Sequence, residues 1–353
     1  MDGRLVETAE EVSQIAFGFM ASKALFAGLH VDVFTVLADG PKKSPEISQK
    51  TGIPTNRITT LMTALTSIGL IDRSDDEVYS NSPGAEAFLS RTAKYDFGDY
   101  LRYQIDKQMY PFMTQLNDAL TDSLEDDQVA SYETWFSDPE EARLYSRSQH
   151  AGSLGPGRGL AKLVDLSAAK QLLDVGGGTG AFSISLCKAY PGLRSTVLDF
   201  PNVAKVGEEF IAEEGLQDRI RYAPGNALKD TWPDSADAVL MSYLFSGVPG
   251  TAIPGLVRKA FEVLTPGGDF MVHDFMVDEN RDGPKLAALW QLQHTAFTPE
   301  ARSVDVAGLE AMLRASGFAR SPDTGRIRLR TSMRARGTRE SIGGTDSDVL
   351  LAG

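Results

Sequence analysis

Leu172-Leu173-Asp174-Val175 is a short apolar run carrying an acid, and Gly176-Gly177-Gly178-Thr179-Gly180 follows it as a glycine-rich turn. A helical pattern then covers 181–190, and a second apolar run, Ser195-Thr196-Val197-Leu198, ends in Asp199. A strand, a glycine turn, a helix and a second strand closed by an acid make a unit that holds a nucleoside. The glycines let the backbone approach the ligand, and the acid accepts hydrogen bonds from both ribose hydroxyls. A plain tight turn accounts for one glycine, not for four with flanking acids. Two cofactors compete for such a unit. Read as G-x-G-x-x-A, the turn is Gly176, Gly178 and Ala181, which suits a dinucleotide. Three features favour S-adenosylmethionine (SAM). Asp174 stands just before the turn, where a carboxylate can meet the ammonium of the methionine moiety; the glycines are packed with no pyrophosphate to cradle; and the unit begins in mid-chain, after a long helical region.

With these residues the chain resembles the class I SAM-dependent methyltransferases of the plant caffeate type, which carry an N-terminal dimerisation domain. The resemblance covers nearly all of residues 15–320. Residues 172–180 resemble the first SAM motif and Val197-Leu198-Asp199-Phe200-Pro201 the second. Gly225-Asn226-Ala227 stands where the family usually has Gly-Asp-Met or Gly-Asp-Phe beside the adenine, and Leu264-Thr265-Pro266-Gly267-Gly268 resembles the turn before the fifth strand. The resemblance implies cofactor contacts from Asp174, Gly176, Gly178, Asp199, Asn226, Ala227 and Ser242, a small-molecule acceptor, and a homodimer.

SAM carries an activated methyl on a sulfonium, so the protein must align a nucleophile opposite the leaving sulfur. A hydroxyl nucleophile calls for a base. The family places that base in a His-Asp pair just after the fourth strand, and here Ser246 and Gly247 occupy those positions. Serine does not replace the base at neutral pH. Four readings follow: the base has moved to His150, His273 or His294; the acceptor is already an anion; methyl transfer has been lost and the chain is a SAM-binding regulator; or the nucleophile is a thioether sulfur, which needs no base. The last is favoured. Stretches 272–278 and 288–294 resemble the methylthiohydroxybutyrate S-methyltransferases of dimethylsulfoniopropionate synthesis, a branch of the same family. No residue is therefore expected as a catalytic base. Tyr145, Gln149 and His150 fall on one helical face and are expected to bind substrate, together with Tyr103, Tyr243 and His273. Arg147 points elsewhere, and Phe245, Phe275 and Met276 are candidates for an apolar wall.

The elements that must position these groups are an α/β, Rossmann-like methyltransferase domain and, before it, a mainly helical winged-helix dimerisation domain. The expected divisions are 1–110 (dimerisation), 111–165 (helical connector contributing to the substrate site), 166–320 (SAM domain) and 321–353 (basic end). Residues 12–38 have apolar repeats at helical spacing. Over 44–90, two helices about the Thr51-Gly52-Ile53-Pro54 turn and a ribbon about residues 74–77 read as a winged helix, a motif that normally touches DNA. Its charge argues against that: Glu46, Asp72, Asp75, Asp76, Glu77 and Glu86 face only Lys50, Arg57 and Arg73. Residues 95–165 read as helices joined by an acidic linker at 121–128. Strands are expected at 171–175, 195–199, 220–224, 238–243 and 269–275, forming a parallel sheet with ligands beyond its carboxyl edge. The arginine-rich stretch 325–339, where Ile327 and Leu329 are the apolar residues, is either an edge strand or a solvated tail.

The 353 residues are 42% hydrophobic and 24% charged, enough for two domains with substantial cores. A net charge of −13 argues against nucleic acid as a partner. The single cysteine, Cys187, forms no internal disulfide and reads as core, which points to the cytoplasm. The stretch after Met1 is acidic and not the basic start of a signal peptide. The apolar run 15–37 is interrupted by Lys23, His30 and Asp32, which argues against a membrane span. The four histidines and one cysteine lack metal-ligand spacing, so no metal is expected.

Overall fold

The computed structural model describes residues 5–125, 131–298, 300–302, 304–319, 332–337 and 350–351. The chain divides into two compact units, Met1–Pro111 and Phe112–Gly353.

The first unit opens with α1 (Ala9–Ala16), α2 (Gly18–His30) and α3 (Val33–Ala38). Thr8 starts α1 through a capping box with Glu11. Val12, Ile15, Phe17, Phe19 and Met20 are exposed along α1 and α2, an apolar face that no described residue covers. The stretch Ala9–His30 is long and apolar enough to cross a membrane by length and composition. Two helices, α4 (Ser44–Thr51) and α5 (Thr55–Ser67), meet at Gly52, and the ribbon β1 (Ile71–Arg73) and β2 (Tyr79–Asn81) follows. Phe34, Ile47, Ile58, Met62, Leu65, Ile71 and Tyr79 are buried together in this unit's core.

After α6 (Pro83–Phe88) the chain forms a π-helix, Tyr100–Met109, that runs into the short α7 (Tyr110–Phe112). The sequence pattern indicates an ordinary helix here. The wider turn buries polar side chains: Arg102 donates to Asp99, and Asp106 pairs with Lys23 and, at 2.9 Å, with His30.

In the second unit, α8 (Leu116–Leu120) and α9 (Tyr132–Trp135) precede α10 (Pro139–Leu163). Asp138 caps α10 by accepting from the N–H groups of Glu140 and Glu141. The sheet then alternates with helices: β3 (Gln171–Val175), α11 (Ala181–Ala189), β4 (Arg194–Asp199), α12 (Pro201–Glu213), β5 (Ile220–Pro224), β6 (Ala236–Ser242), α13 (Ile253–Val263), β7 (Leu264–His273), α14 (Lys285–Phe297), α15 (Val306–Ala315) and β8 (Phe318–Ala319), with β9 (Ser332–Gly337) and β10 (Leu350–Leu351) beyond. The sheet order is β10-β9-β7-β6-β3-β4-β5, with β8 also paired to β9. Strands β3 to β7 are mutually parallel, and the chain reverses its direction of travel across the sheet between β3 and β6. Crevices for ligands open at such a reversal, beyond the carboxyl ends. Ser242 and His273 are register partners there, as are Asp199 and Pro224.

Two details depart from the sequence expectations. The turn about Gly267 lies inside β7 as an irregularity, because both Leu264 and Asp269 pair with β6. The arginine-rich end contributes β9, antiparallel to β7 and running through Arg334 and Arg336. It is thus a strand paired on both sides, with β7 and with β8 and β10, while Ile327 and Leu329 lie outside the described residues.

Helix α12 reaches the sheet through Gly207, where a Cβ would stand 1.7 Å from the Tyr222 hydroxyl oxygen. Gly207→Ala should therefore force the Tyr222 ring aside and lower stability by about 1–3 kcal/mol, seen as a lower Tm on thermal unfolding.

Candidate active site

The glycine turn bends because Gly176, Gly178 and Gly180 all adopt positive φ (65°, 58° and 73°), a region costly to other residues. The turn is held from three sides. The Gly178 N–H donates to Asp199 Oδ2 at 2.7 Å, and the Tyr222 hydroxyl donates to the Gly178 carbonyl at 2.7 Å. On the third side His150 Nδ1 bonds Thr179 Oγ1 at 2.7 Å, with its ring stacked on Phe210 at 3.7 Å. Asp199 also accepts from the Phe200 N–H at 2.7 Å. Burial pushes the Asp199 carboxyl up to about 6, against the pull of these two N–H groups.

Asp174 lies beneath the turn, fully buried, and accepts from Ser183 Oγ at 2.6 Å. Gly177 covers it so closely that a Cβ there would stand 2.6 Å from the carboxyl carbon. Its Oδ1 is buried and has no hydrogen-bond partner among the described residues. Burial pushes this carboxyl up to about 7.

These residues fit SAM. The turn offers open backbone, Asp199 has lone pairs left for ribose hydroxyls, and the orphaned Asp174 oxygen calls for a cationic partner. Asn226 follows β5, its N–H donating to Asp230 and its Oδ1 accepting from Leu228 N–H at 2.9 Å. The Ala227 carbonyl is taken by Trp232 Nε1 and Lys259 Nζ. Both positions are half-buried beside the β4–β5 edge, and Ser242 is buried at the end of β6.

The expected substrate contacts separate into groups. Tyr145 and Gln149 stay together on α10: Gln149 Nε2 donates to the Tyr145 hydroxyl at 3.3 Å, and Gln149 Oε1 lies over the turn, 3.2 Å from where a Gly178 Cβ would stand. His150, the next residue on the helix, meets a different set of side chains. Thr179 and Phe210 enclose it, and burial holds it down at about 4 and uncharged, so its geometry is that of a support for the turn. Tyr243 and His273 are paired across β6 and β7, Nε2 to hydroxyl at 3.1 Å. Tyr243 has a φ of 56°, a strained value for a residue of its size. Tyr103 lies in the first unit, edge-on to His30 at 6.3 Å. Arg147 points out to Glu209, as its helix position implies.

Sequence reasoning missed an aromatic wall. Tyr132 packs against Phe297 (4.7 Å between ring centres), Trp135 against Tyr145 (5.1 Å) and Phe112 against Phe297 (4.9 Å). A second row runs from Tyr243 to Phe275 (5.2 Å) and from Phe275 to Trp290 (4.5 Å, stacked). The two rows come together through His294, edge-on to Trp290 at 6.1 Å, and through Tyr132: a Cβ on Gly247 would stand 3.0 Å from Tyr132 and 3.8 Å from His294 Cε1. Phe245 and Met276 are core and do not join the wall. The only sequence signal for it is the aromatic run Tyr132, Trp135, Phe136 after the acidic linker.

Three measurements check this geometry. Because both carboxyls are raised and the charged forms suit a cationic ligand, SAM affinity measured by calorimetry should fall as pH drops through about 7 and 6. Asp199→Ala should weaken SAM binding about 10- to 100-fold at neutral pH. His150→Ala should lower SAM affinity by up to about tenfold and leave acceptor KM unchanged, because it frees Thr179 at the turn.

Comparison with known proteins agrees with this arrangement. Residues 114–319 match the family model of the O-methyltransferase domain, and residues 13–91 match the O-methyltransferase dimerisation domain. The exposed apolar face of α1 and α2 falls mostly within the second match. The chain is 29% identical to the tetracenomycin polyketide synthesis 8-O-methyl transferase TcmO of Streptomyces glaucescens, over 87% of this chain and 91% of that one. It is 29% identical to the N,N-dimethyltransferase OxyT of Streptomyces rimosus, over 89% of this chain and 91% of that one. In fold it is similar to human N-acetylserotonin methyltransferase in complex with SAM, with a TM-score of 0.82 at 21% identity, covering 96% of this chain and all of that one. The chain belongs to the O-methyltransferase family and is a SAM-dependent small-molecule methyltransferase.

Proposed function

We propose that this enzyme transfers the SAM methyl to a hydroxyl on an aromatic, polyketide-like acceptor, and that it works as a homodimer. The observation that carries the acceptor class is the double aromatic row meeting at Gly247, beyond the carboxyl end of β6. Flat fused rings gain both area burial and offset or edge-on contacts from such walls. The likeness to TcmO, an 8-O-methyl transferase of tetracenomycin polyketide synthesis, supports the same class. The exposed apolar face of α1 and α2, and the dimerisation-domain match over it, support the homodimer.

One observation favours a second reading. Ser246 and Gly247 carry no base, and a thioether acceptor such as 4-methylthio-2-hydroxybutyrate requires none. Against it, a small carboxylate needs a cation to hold it, and the rows that meet at Gly247 are aromatic.

Purified enzyme with SAM, offered hydroxylated naphthoates and anthraquinones beside 4-methylthio-2-hydroxybutyrate, should give a methyl ether with S-adenosylhomocysteine in equal amount by mass spectrometry. A sulfonium acid formed with no ether would replace the first reading with the second.

A further inference from the structure

His150 is held at Nδ1 by Thr179, and His273 at Nε2 by Tyr243. His294 differs. Its side chain is 3% exposed, and its Nδ1 is buried with no hydrogen-bond partner among the described residues. A buried ring nitrogen left unpaired is uncommon and calls for a partner from outside the chain.

Its position says which partner. Helix α14 places Trp290, His294 and Phe297 within two turns, and these side chains belong to both aromatic rows. The Gln291 side chain anchors this part of α14 by donating to the Phe275 carbonyl at 2.9 Å. His294 Cε1 approaches Gly247, where the rows meet. Gly247 in turn follows closely on Leu244, whose side chain lies so near the glycine turn that a Cβ on Gly176 would stand 2.9 Å from it. The ring nitrogen thus belongs to the stretch that joins the cofactor turn to the acceptor walls. The absence of a side chain at 247 gives it room, and neither Ser246 nor Gly247 supplies a base of its own.

We propose that His294, brought in from α14, is the general base for the acceptor hydroxyl. This rests on the reading that the acceptor atom is a hydroxyl oxygen. The acceptor oxygen uses a lone pair to bond the methyl carbon, the electron pair of the breaking carbon–sulfur bond stays on sulfur, and the hydroxyl proton passes to Nδ1 as the oxygen gains its methyl group. The products are a methyl ether, S-adenosylhomocysteine and an imidazolium that returns its proton to solvent. Burial holds the ring down at about 4, so it is neutral and able to accept at physiological pH. Of the neighbouring titratable groups, Tyr132, pushed up to about 12, faces Gly247, and Asp274, raised by burial, accepts from the adjacent Ser246 N–H at 3.1 Å.

The test uses the full chain, SAM and a hydroxyanthraquinone, comparing the wild type with His294→Gln and His294→Ala. Loss of the base should lower kcat by about 10²- to 10⁴-fold. SAM affinity by calorimetry should hold, and added imidazole should restore part of the His294→Ala rate. Nitrogen NMR of the wild type without acceptor should find the His294 ring neutral at pH 6. A His294→Gln enzyme with unchanged kcat, or a ring already protonated at neutral pH, would overturn the base while leaving hydroxyl methylation intact. A wild type that methylates a thioether or an amine but no hydroxyl would remove the hydroxyl reading, and the base with it.

Discussion

The hydrogen bond from the Gly178 N–H to the Asp199 carboxylate ties the end of β3 to the end of β4, and the cofactor site is arranged around it. Gly178 can make this bond only because its φ of 58° turns the N–H toward β4. Tyr222 holds the opposite side of the same peptide from β5, and it reaches there only because Gly207 leaves α12 without a side chain at the crossing. His150 braces the next residue from α10. Each helix that packs on this edge of the sheet thus contributes a small residue or a polar contact to a turn about five residues long. The price is two buried carboxyls, Asp174 and Asp199, both raised by desolvation and both made easier to ionise when a cation arrives.

The acceptor side follows a different physical logic. Where the cofactor end is built from backbone and carboxylates, the region about Gly247 is built from ring faces and edges supplied by α9, α10, α14 and the ends of β6 and β7. Rings pack rigidly and exclude water at small entropic cost, which suits a reaction whose rate depends on alignment more than on charge stabilisation. Tyr132 and His294 converge on the position where a glycine leaves space. A base carried on a neighbouring helix can serve the same atom as one carried on the strand end, because proximity in space and not in sequence decides proton transfer.

The parts of the molecule governed by local rules were legible in the sequence. The glycine turn, the acid at Asp199 and the apolar runs of β3 and β4 follow from backbone freedom and the burial of parallel strands, and each stands within a residue of its expected bounds. Contacts across the fold were not legible. Helical spacing placed Tyr145, Gln149 and His150 on one face of α10, but it did not show that His150 would meet Thr179 and Phe210. The aromatic rows draw residues from positions 112 to 297, and no spacing rule connects them. The π-helix at Tyr100–Met109 was hidden because its sequence pattern reads as an ordinary helix. At the basic end, sheet pairing overrode composition: Arg334 and Arg336 stand in a strand that local propensity does not favour.

The account stands on the assignment of the turn to SAM, and a crystal structure of the enzyme with S-adenosylhomocysteine tests this most directly. The ribose hydroxyls should lie within hydrogen-bonding distance of the Asp199 carboxylate, with the Gly178 N–H still donating to it and the sulfur facing Gly247. Product bound elsewhere, or with its ribose turned away from Asp199, would contradict the site described.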